Sequence, residues 1–190
     1  MNRIVKPISP IRGERIFLRE LIQDDVTEIY VQWMNDPSVT QYLESRFAKH
    51  SMETLVNYVN GKGADPNSVL FAIMLNDLKH IGNIKLGPVN WIHRRASVGI
   101  VIGKTDCFGK GYATEAIGLI VDFAFDNIGL HKLTAGCYEP NHGAKKAFLK
   151  SGFSVEGIQR DQVIYNGNYI DIFYLGIINR ENSGYASPIK

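Results

Sequence analysis

The sequence predicts an α/β fold: a mixed, largely antiparallel central sheet flanked by helices on both faces. Three observations carry that prediction. Apolar residues switch between strand and helix periods in the order β-α-α-β-β-β-α-β-α-β-β. Successive strands are joined by short polar turns, which antiparallel neighbours permit and parallel ones do not. The 190 residues are 45% hydrophobic and 21% charged, with 9 Tyr, 9 Phe and 2 Trp. That is enough to fill the core of one domain and too apolar for a disordered chain.

The elements follow in order. Residues 15–20 are extended and β-prone. Asp24 is placed to cap a helix carrying Val26, Ile29, Tyr30 and Trp33 at i, i+3, i+4, i+7 spacing, which ends near Asn35-Asp36-Pro37. A second helix starts at Ser51 and stops before Gly61-Lys62-Gly63. Residues 69–75, 81–86 and 96–102 are three strands separated by the turns Asn76-Asp77 and His93-Arg94-Arg95. After Gly109-Lys110-Gly111, the residues Ala113, Ala116, Ile117, Ile120, Val121, Ala124 and Phe125 mark one face of a long amphipathic helix. Residues 131–138 form a further strand, and 141–151 a short helix stopped by Gly152. Residues 155–165 and 169–178 make a hairpin over Asn166-Gly167. We expect one domain over residues 1–180 and a flexible tail over 181–190.

Composition removes several classes of function. The formal net charge is +2, which gives no electrostatic reason for a nucleic-acid partner. Cys107 and Cys137 form no CxxC, and His50, His80, His93, His131 and His142 show no HxxxH or HExxH spacing, so no metal site is expected. The amino terminus lacks the apolar core of a signal peptide. The longest apolar run, residues 69–75, is far short of the ~20 residues that span a bilayer. The expected protein is soluble and cytoplasmic, a monomer or homodimer with no membrane partner.

Two glycine patterns suggest nucleotides and fail. Gly103-Lys104-Thr105 looks like the end of a P-loop, but the upstream glycine is one position out of place at Gly99, and Asp106, Cys107 and Phe108 intervene before any helix. Gly109-x-Gly111 sits between strand and helix, as in a dinucleotide fold, but Thr114 stands where the third glycine belongs. What remains is a strand, a Gly-x-Gly turn and a long helix over residues 97–127. Glycines admit close backbone approach, and helix N-terminal amides favour an anion. From the residues alone, a phosphate-bearing ligand at 108–114 and a ligand-free tight turn have equal claims.

Residues 108–161, FGKGYATEAIGLIVDFAFDNIGLHKLTAGCYEPNHGAKKAFLKSGFSVEGIQRD, resemble the acyl-CoA-binding half of the GNAT N-acetyltransferases, specifically the RimJ/RimL-like branch. ERIFLREL is similar to that branch's first strand and GNYIDIFYLGI to its last, so the resemblance covers most of the chain. It implies acetyl-CoA as co-substrate. The family's turn, Gln/Arg-x-x-Gly-x-Gly/Ala, falls on Phe108-x-x-Gly111-x-Ala113, and Phe108 departs from it. The implied CoA site is Phe108, Gly109, Lys110, Gly111, Tyr112, Ala113 and Thr114 for the pyrophosphate, backbone around Ile100, Val101 and Ile102 for the thioester carbonyl, and Asn141 for the pantetheine arm, with Lys146 and Phe148 beside it. Asn141 is equally a helix N-cap. Lys110, Lys145 and Lys146 are placed to reach phosphates, and Glu115 is expected to be structural.

Two departures concern the leaving thiolate. The family's tyrosine seven residues after the asparagine is here Phe148, and the serine three residues after it, used by RimL-like relatives, is Ala144. Water, Tyr138 or Tyr112 is left to protonate the sulfur. A general base is not evident either. RimL-like sequences carry Glu before the glycine of the preceding strand, where this chain has Ser97-Val98-Gly99. Glu44, His93 and Asn83 are the candidates, beside a water relay. Residues 32–47, QWMNDPSVTQYLESRF, resemble a group of GNAT enzymes that often act on nucleotide-linked amino sugars, with Glu44, Arg46, Asn83, Lys85 and Asn90 as candidate acceptor contacts, and a solvated interhelical loop has an equal claim there. The expectation is an acetyl-CoA-dependent N-acetyltransferase of a small amine, such as a nucleotide-linked amino sugar. Its rivals are a protein N-terminal acetyltransferase and a non-catalytic acyl-CoA-binding fold.

Overall fold

The computed structural model describes residues 6–7 and 9–180, so the predicted tail at 181–190 lies outside the described residues. Eight strands form one sheet: β1 (Ile11–Arg12), β2 (Ile16–Glu20), β3 (Val69–Leu75), β4 (His80–Leu86), β5 (Arg95–Ile102), β6 (Lys132–Tyr138), β7 (Ser154–Tyr165) and β8 (Asn168–Ile178). Their order is β1-β2-β3-β4-β5-β6-β8-β7. Every neighbouring pair is antiparallel except β5–β6, which is parallel. The β7–β8 hairpin turns at Asn166 and Gly167 with φ of +50° and +80°, the pair of positive values a type I′ turn requires.

Alternation along β2 and β3 splits the core between the two faces. Ile16, Leu18, Phe71 and Ile73 join Ile84, Ile117, Ile120 and Leu133 under α4 (Tyr112–Asp122) and α5 (His142–Lys150). Phe17, Leu70, Ala72 and Met74 face Tyr30, Trp33, Leu55 and Val59 of α1 (Glu28–Asn35) and α3 (Met52–Ala64). At about 1.5–3 kcal/mol per buried large apolar side chain, these two clusters hold both helical layers on the sheet. The amphipathic run after Gly111 ends in a π-helical turn, Phe123–Asn127.

Three local expectations are corrected. Thr27, not Asp24, caps α1, accepting from Tyr30 N at 3.5 Å. The acidic pair precedes it in a 3-10 turn, where Asp25 is held by Arg19 at 2.7 and 2.5 Å. Ile29 lies on the solvent side of α1, 57% exposed. Helix α3, capped by a Ser51–Thr54 box, continues through Gly61 and Gly63 to Ala64. A helical glycine costs only about 1 kcal/mol, and Leu55 and Val59 already dock the upstream turns. Between α1 and α3 the chain adds a short helix, α2 (Pro37–Thr40), and a 3-10 turn, Glu44–Phe47. Among the described residues no helix is long and apolar enough to cross a membrane.

Candidate active site

The sheet opens where its one parallel pair parts. Arg95, Ala96 and Ser97 pair with Lys132, Leu133 and Thr134. Beyond them β5 follows β4 as far as Gly82↔Ile102, while β6 follows β8 as far as Tyr138↔Ile172. The facing backbone of the two diverging halves is thereby offered to an extended ligand, which can lie between them as a strand would. The gap leads into a cavity of about 540 Å³ walled by Ile100–Ile102, residues 107–109 and 111–114 of the glycine turn, the start of α5, and Val39, Tyr42 and Leu43.

At the floor, Gly109 and Gly111 have φ of +71° and +85°, values that L side chains rarely adopt. Gly111 begins α4 with no side-chain cap, so the first-turn amides remain free to bind an anion. A carboxylate braces the turn from behind. Glu115 Oε1 accepts from Arg15 N at 2.8 Å and Ile16 N at 3.3 Å, and its Oε2 accepts from Arg15 Nε at 2.9 Å. Arg15 Nη1 in turn donates to Lys110 O at 2.9 Å. Burial alone would raise the Glu115 carboxyl, but the hydrogen bonds from Arg15 and Ile16 outweigh it and hold the group below the ordinary carboxylate range. An ionised, fully engaged carboxylate is a brace rather than a base.

The residues assigned to CoA from sequence come together around this cavity with two exceptions. Ile100, Val101, Ile102, Phe108, Gly109, Gly111, Tyr112, Ala113, Thr114, Asn141 and Lys146 line it. Lys110 does not, and gives its carbonyl to Arg15. Phe148 is 2% exposed and packs edge-on against Phe153 at 5.0 Å, within the core. Lys145, also considered for phosphates, lies over the Phe173 ring at 3.4 Å. Asn141 is both a wall residue and a cap, its Oδ1 accepting from Ala144 N at 3.1 Å. Cys107 lines the cavity without a sequence signal for it, and Val39, Tyr42 and Leu43 line it from the 32–47 stretch that resemblance marked only as an acceptor region.

Across the gap, Tyr138 ends β6 with only 5% of its surface exposed. Its hydroxyl donates to Glu44 Oε1 and accepts from Arg46 Nη1 at 2.8 Å. Arg46 also donates to Leu43 O at 2.9 Å and Ile164 O at 2.8 Å, and its guanidinium lies 4.1 Å from the Phe47 ring. Burial, with Glu44 adding to it and Arg46 opposing it, lifts the Tyr138 hydroxyl above its ordinary value, so it stays a donor. Tyr42 stacks on Tyr165 at 5.5 Å, and the Tyr165 hydroxyl donates to Gln41 Oε1 at 3.1 Å. Outside this wall lies a second hollow of about 960 Å³, between α2, the turn that follows it and the hairpin tip at Ile164–Gly167.

The catalytic candidates divide accordingly. Glu44 and Tyr138 touch, and Arg46 joins them. His93 is exposed on the β4–β5 turn, and the strand from Arg95 to Ile100 alone spans roughly 17 Å. Asn83 is 3% exposed and bonded to His80 Nε2 at 2.8 Å beneath α1. Asn90 braces the His93 turn, its Oδ1 accepting from His93 N at 2.9 Å, and Lys85 sits mid-strand opposite Gly99. None of these four joins the Glu44 cluster.

Comparison with known proteins agrees with this architecture. Residues 15–154 match the acetyltransferase (GNAT) domain. The uncharacterized N-acetyltransferase p20 of Bacillus licheniformis is 26% identical over 174 residues, 90% of this chain and 97% of that protein. Spermidine N(1)-acetyltransferase of Escherichia coli (strain K12) is 37% identical over 93 residues, 49% of this chain and 50% of that enzyme. The crystal structure of spermidine N-acetyltransferase from Vibrio cholerae, in complex with CoA and spermine, superimposes with a TM-score of 0.79 at 25% identity. It covers 90% of this chain and 100% of that one. With the parted strands and the domain match spanning most of its length, the chain belongs to the GNAT family of acetyltransferases and is an acyltransferase.

Proposed function

We propose that this acyltransferase is of the RimJ/RimL-like branch, acts in the cytoplasm, and moves the acetyl group of acetyl-CoA to a small amine such as a nucleotide-linked amino sugar. The observation that carries the reading is the parting of β5 from β6 directly above the Gly109–Gly111 turn. A slot of facing backbone leads to a nest of free amides, which suits a polar pantetheine arm ending in a pyrophosphate. The residues present fit such a molecule. The turn at 109–114 would hold the phosphates, Asn141 the arm, and backbone around Ile100–Ile102 the carbonyl oxygen. Bound acetyl-CoA supplies an activated acyl group. The protein orients it, and Val39, Tyr42 and Leu43 wall it from water. Two free, buried cysteines support a reducing compartment.

The likeness to spermidine acetyltransferases supports a small-molecule amine as acceptor. Charge favours a different amine. Neither hollow has Asp or Glu among its lining residues, and the wall between them offers the single carboxylate of Glu44, while Lys146 and Lys150 line the inner hollow and Arg46 and Lys49 the outer. A polycation would meet like charge there, whereas an amine on an anionic carrier would be drawn in. Free-thiol release from acetyl-CoA can be followed with spermidine, an N-terminal ribosomal-protein peptide and a UDP-linked amino sugar. The proposal expects the highest kcat/KM for the sugar. Efficient turnover of spermidine or the peptide alone would transfer the assignment to that amine.

A further inference from the structure

The wall between the two hollows contains a cluster of three ionisable side chains. Arg46, Tyr138 and Glu44 are joined in series, Arg46 Nη1 donating to the Tyr138 oxygen and the Tyr138 hydroxyl donating to Glu44 Oε1. The first two are buried or half-buried, while Glu44 is exposed at the end of the series. A chain that merely tied the Glu44–Phe47 turn to β6 would need no carboxylate. Arg46 already ties the turn to β6 through the Tyr138 oxygen and to β7 through Ile164 O. The series also stands on the right side of the sheet: Tyr138 is where β6 has parted from β5, and Leu43, next to Glu44, lines the acetyl-CoA cavity.

We propose that Glu44 is the base that takes the acceptor's proton, and that Tyr138 and Arg46 are positioning residues acting through it. The inference rests on the acetyltransferase reading above. Tyr138 occupies one Glu44 oxygen and fixes the carboxylate's direction, leaving the other oxygen for an ammonium. The step balances. An N–H bond of the acceptor ammonium breaks and its proton goes to Glu44, freeing the nitrogen lone pair. The N–C bond to the acetyl carbon forms as the C–S bond breaks, and the sulfur keeps that electron pair. The nitrogen's second proton passes to the sulfur through water, and Glu44 later returns its proton to solvent. No acid is required of Phe148 or Ala144.

The test compares wild type with Glu44→Gln, Tyr138→Phe and Arg46→Lys, using the UDP-linked amino sugar and the peptide as acceptors. Both amines titrate near pH 8. At pH 7, Glu44→Gln should lower kcat about 10²-fold or more, with acetyl-CoA affinity by calorimetry unchanged. The deficit should shrink several-fold by pH 9.5, where the free amine no longer needs a base. Tyr138→Phe and Arg46→Lys should each lower kcat by a smaller factor with the same pH trend. A Glu44→Gln deficit constant from pH 7 to 9.5 would reduce Glu44 to a structural role and overturn the inference, as would an unchanged kcat. If wild type itself released no thiol with any amine, the acetyltransferase reading would fail instead. Loss of acetyl-CoA binding in Glu44→Gln would place the residue in the cofactor wall, and that too would overturn the assignment.

Discussion

Arg15 and Glu115, one hundred residues apart in sequence, meet at 2.9 Å between Nε and Oε2, and the same carboxylate receives both the Arg15 and Ile16 backbone amides. Through Arg15 Nη1 on Lys110 O the pair reaches the glycine turn. The start of β2 is thereby the support on which the Gly109–Gly111 turn rests. The Arg15 guanidinium also lies 4.9 Å from the Tyr112 ring, closing the loop's back face.

Glu115→Ala should therefore weaken both fold and ligand binding. It leaves two backbone amides unpaired, a loss of about 1–3 kcal/mol. Chemical denaturation should show that loss, together with weaker acetyl-CoA binding. The pH dependence has a defined sign. Because the folded carboxyl is held below its ordinary value of 4.5, its contribution is complete above that pH and disappears as pH falls through the folded value. Glu115→Gln should flatten the acid limb of the stability curve below about pH 4.5 and leave its slope near neutrality unchanged.

Helix α1 is fixed to the end of β5 by a missing side chain. A Cβ at Gly103 would fall inside the Trp33 indole, which is buried. Gly103→Ala must displace α1, which should cost about 1–3 kcal/mol, or roughly 3–10 °C in Tm for a chain of this size. Gly99→Ala on the same strand meets nothing within 4 Å and should change stability by about 0.5 kcal/mol or less. Thermal melts of the two variants check the contrast.

Most of the sheet was legible because its strands are marked twice, by apolar pattern and by turn chemistry. The run at Val69–Leu75 and the Asn166-Gly167 turn are the clearest cases. The glycine turn was legible as a strand-to-helix turn, but its residues alone left an anion site and a ligand-free turn with equal claims, and only resemblance favoured the anion. The segment from Pro37 to Phe47 was not resolved, because a four-residue helix and a 3-10 turn leave no period to read. The contact between Glu44 and Tyr138 spans 94 residues, and no spacing rule reaches across that distance. Phe148 was placed by family position alone, and its burial against Phe153 depends on how α5 sits on the sheet.

That burial changes what restoring the family's acids should do. Phe148→Tyr would bring a hydroxyl into a site packed by Phe153, with a stability cost of about 1–3 kcal/mol and no gain in rate. Ala144 lines the cavity and is half-buried. Ala144→Ser should keep Tm within about 2 °C, given a change of ~0.5 kcal/mol or less, and raise kcat modestly if thiolate protonation limits turnover. Melting curves and single-turnover thiol release separate the two effects.

The central claim is that the parted strands and the Gly109–Gly111 turn hold acetyl-CoA, and calorimetric titration of wild type and Gly111→Val tests it most directly. A side chain at 111 meets both a φ of +85° and Arg15 Nη2 at 3.3 Å. Valine escapes a left-handed strain of about 1–2 kcal/mol by moving the turn, and restoring the turn on binding costs that energy again, roughly tenfold in affinity. Wild type should bind one acetyl-CoA per chain, and Gly111→Val, still folded by circular dichroism, should bind at least about tenfold more weakly. Equal affinity in the two proteins, or no binding to wild type, would contradict the site.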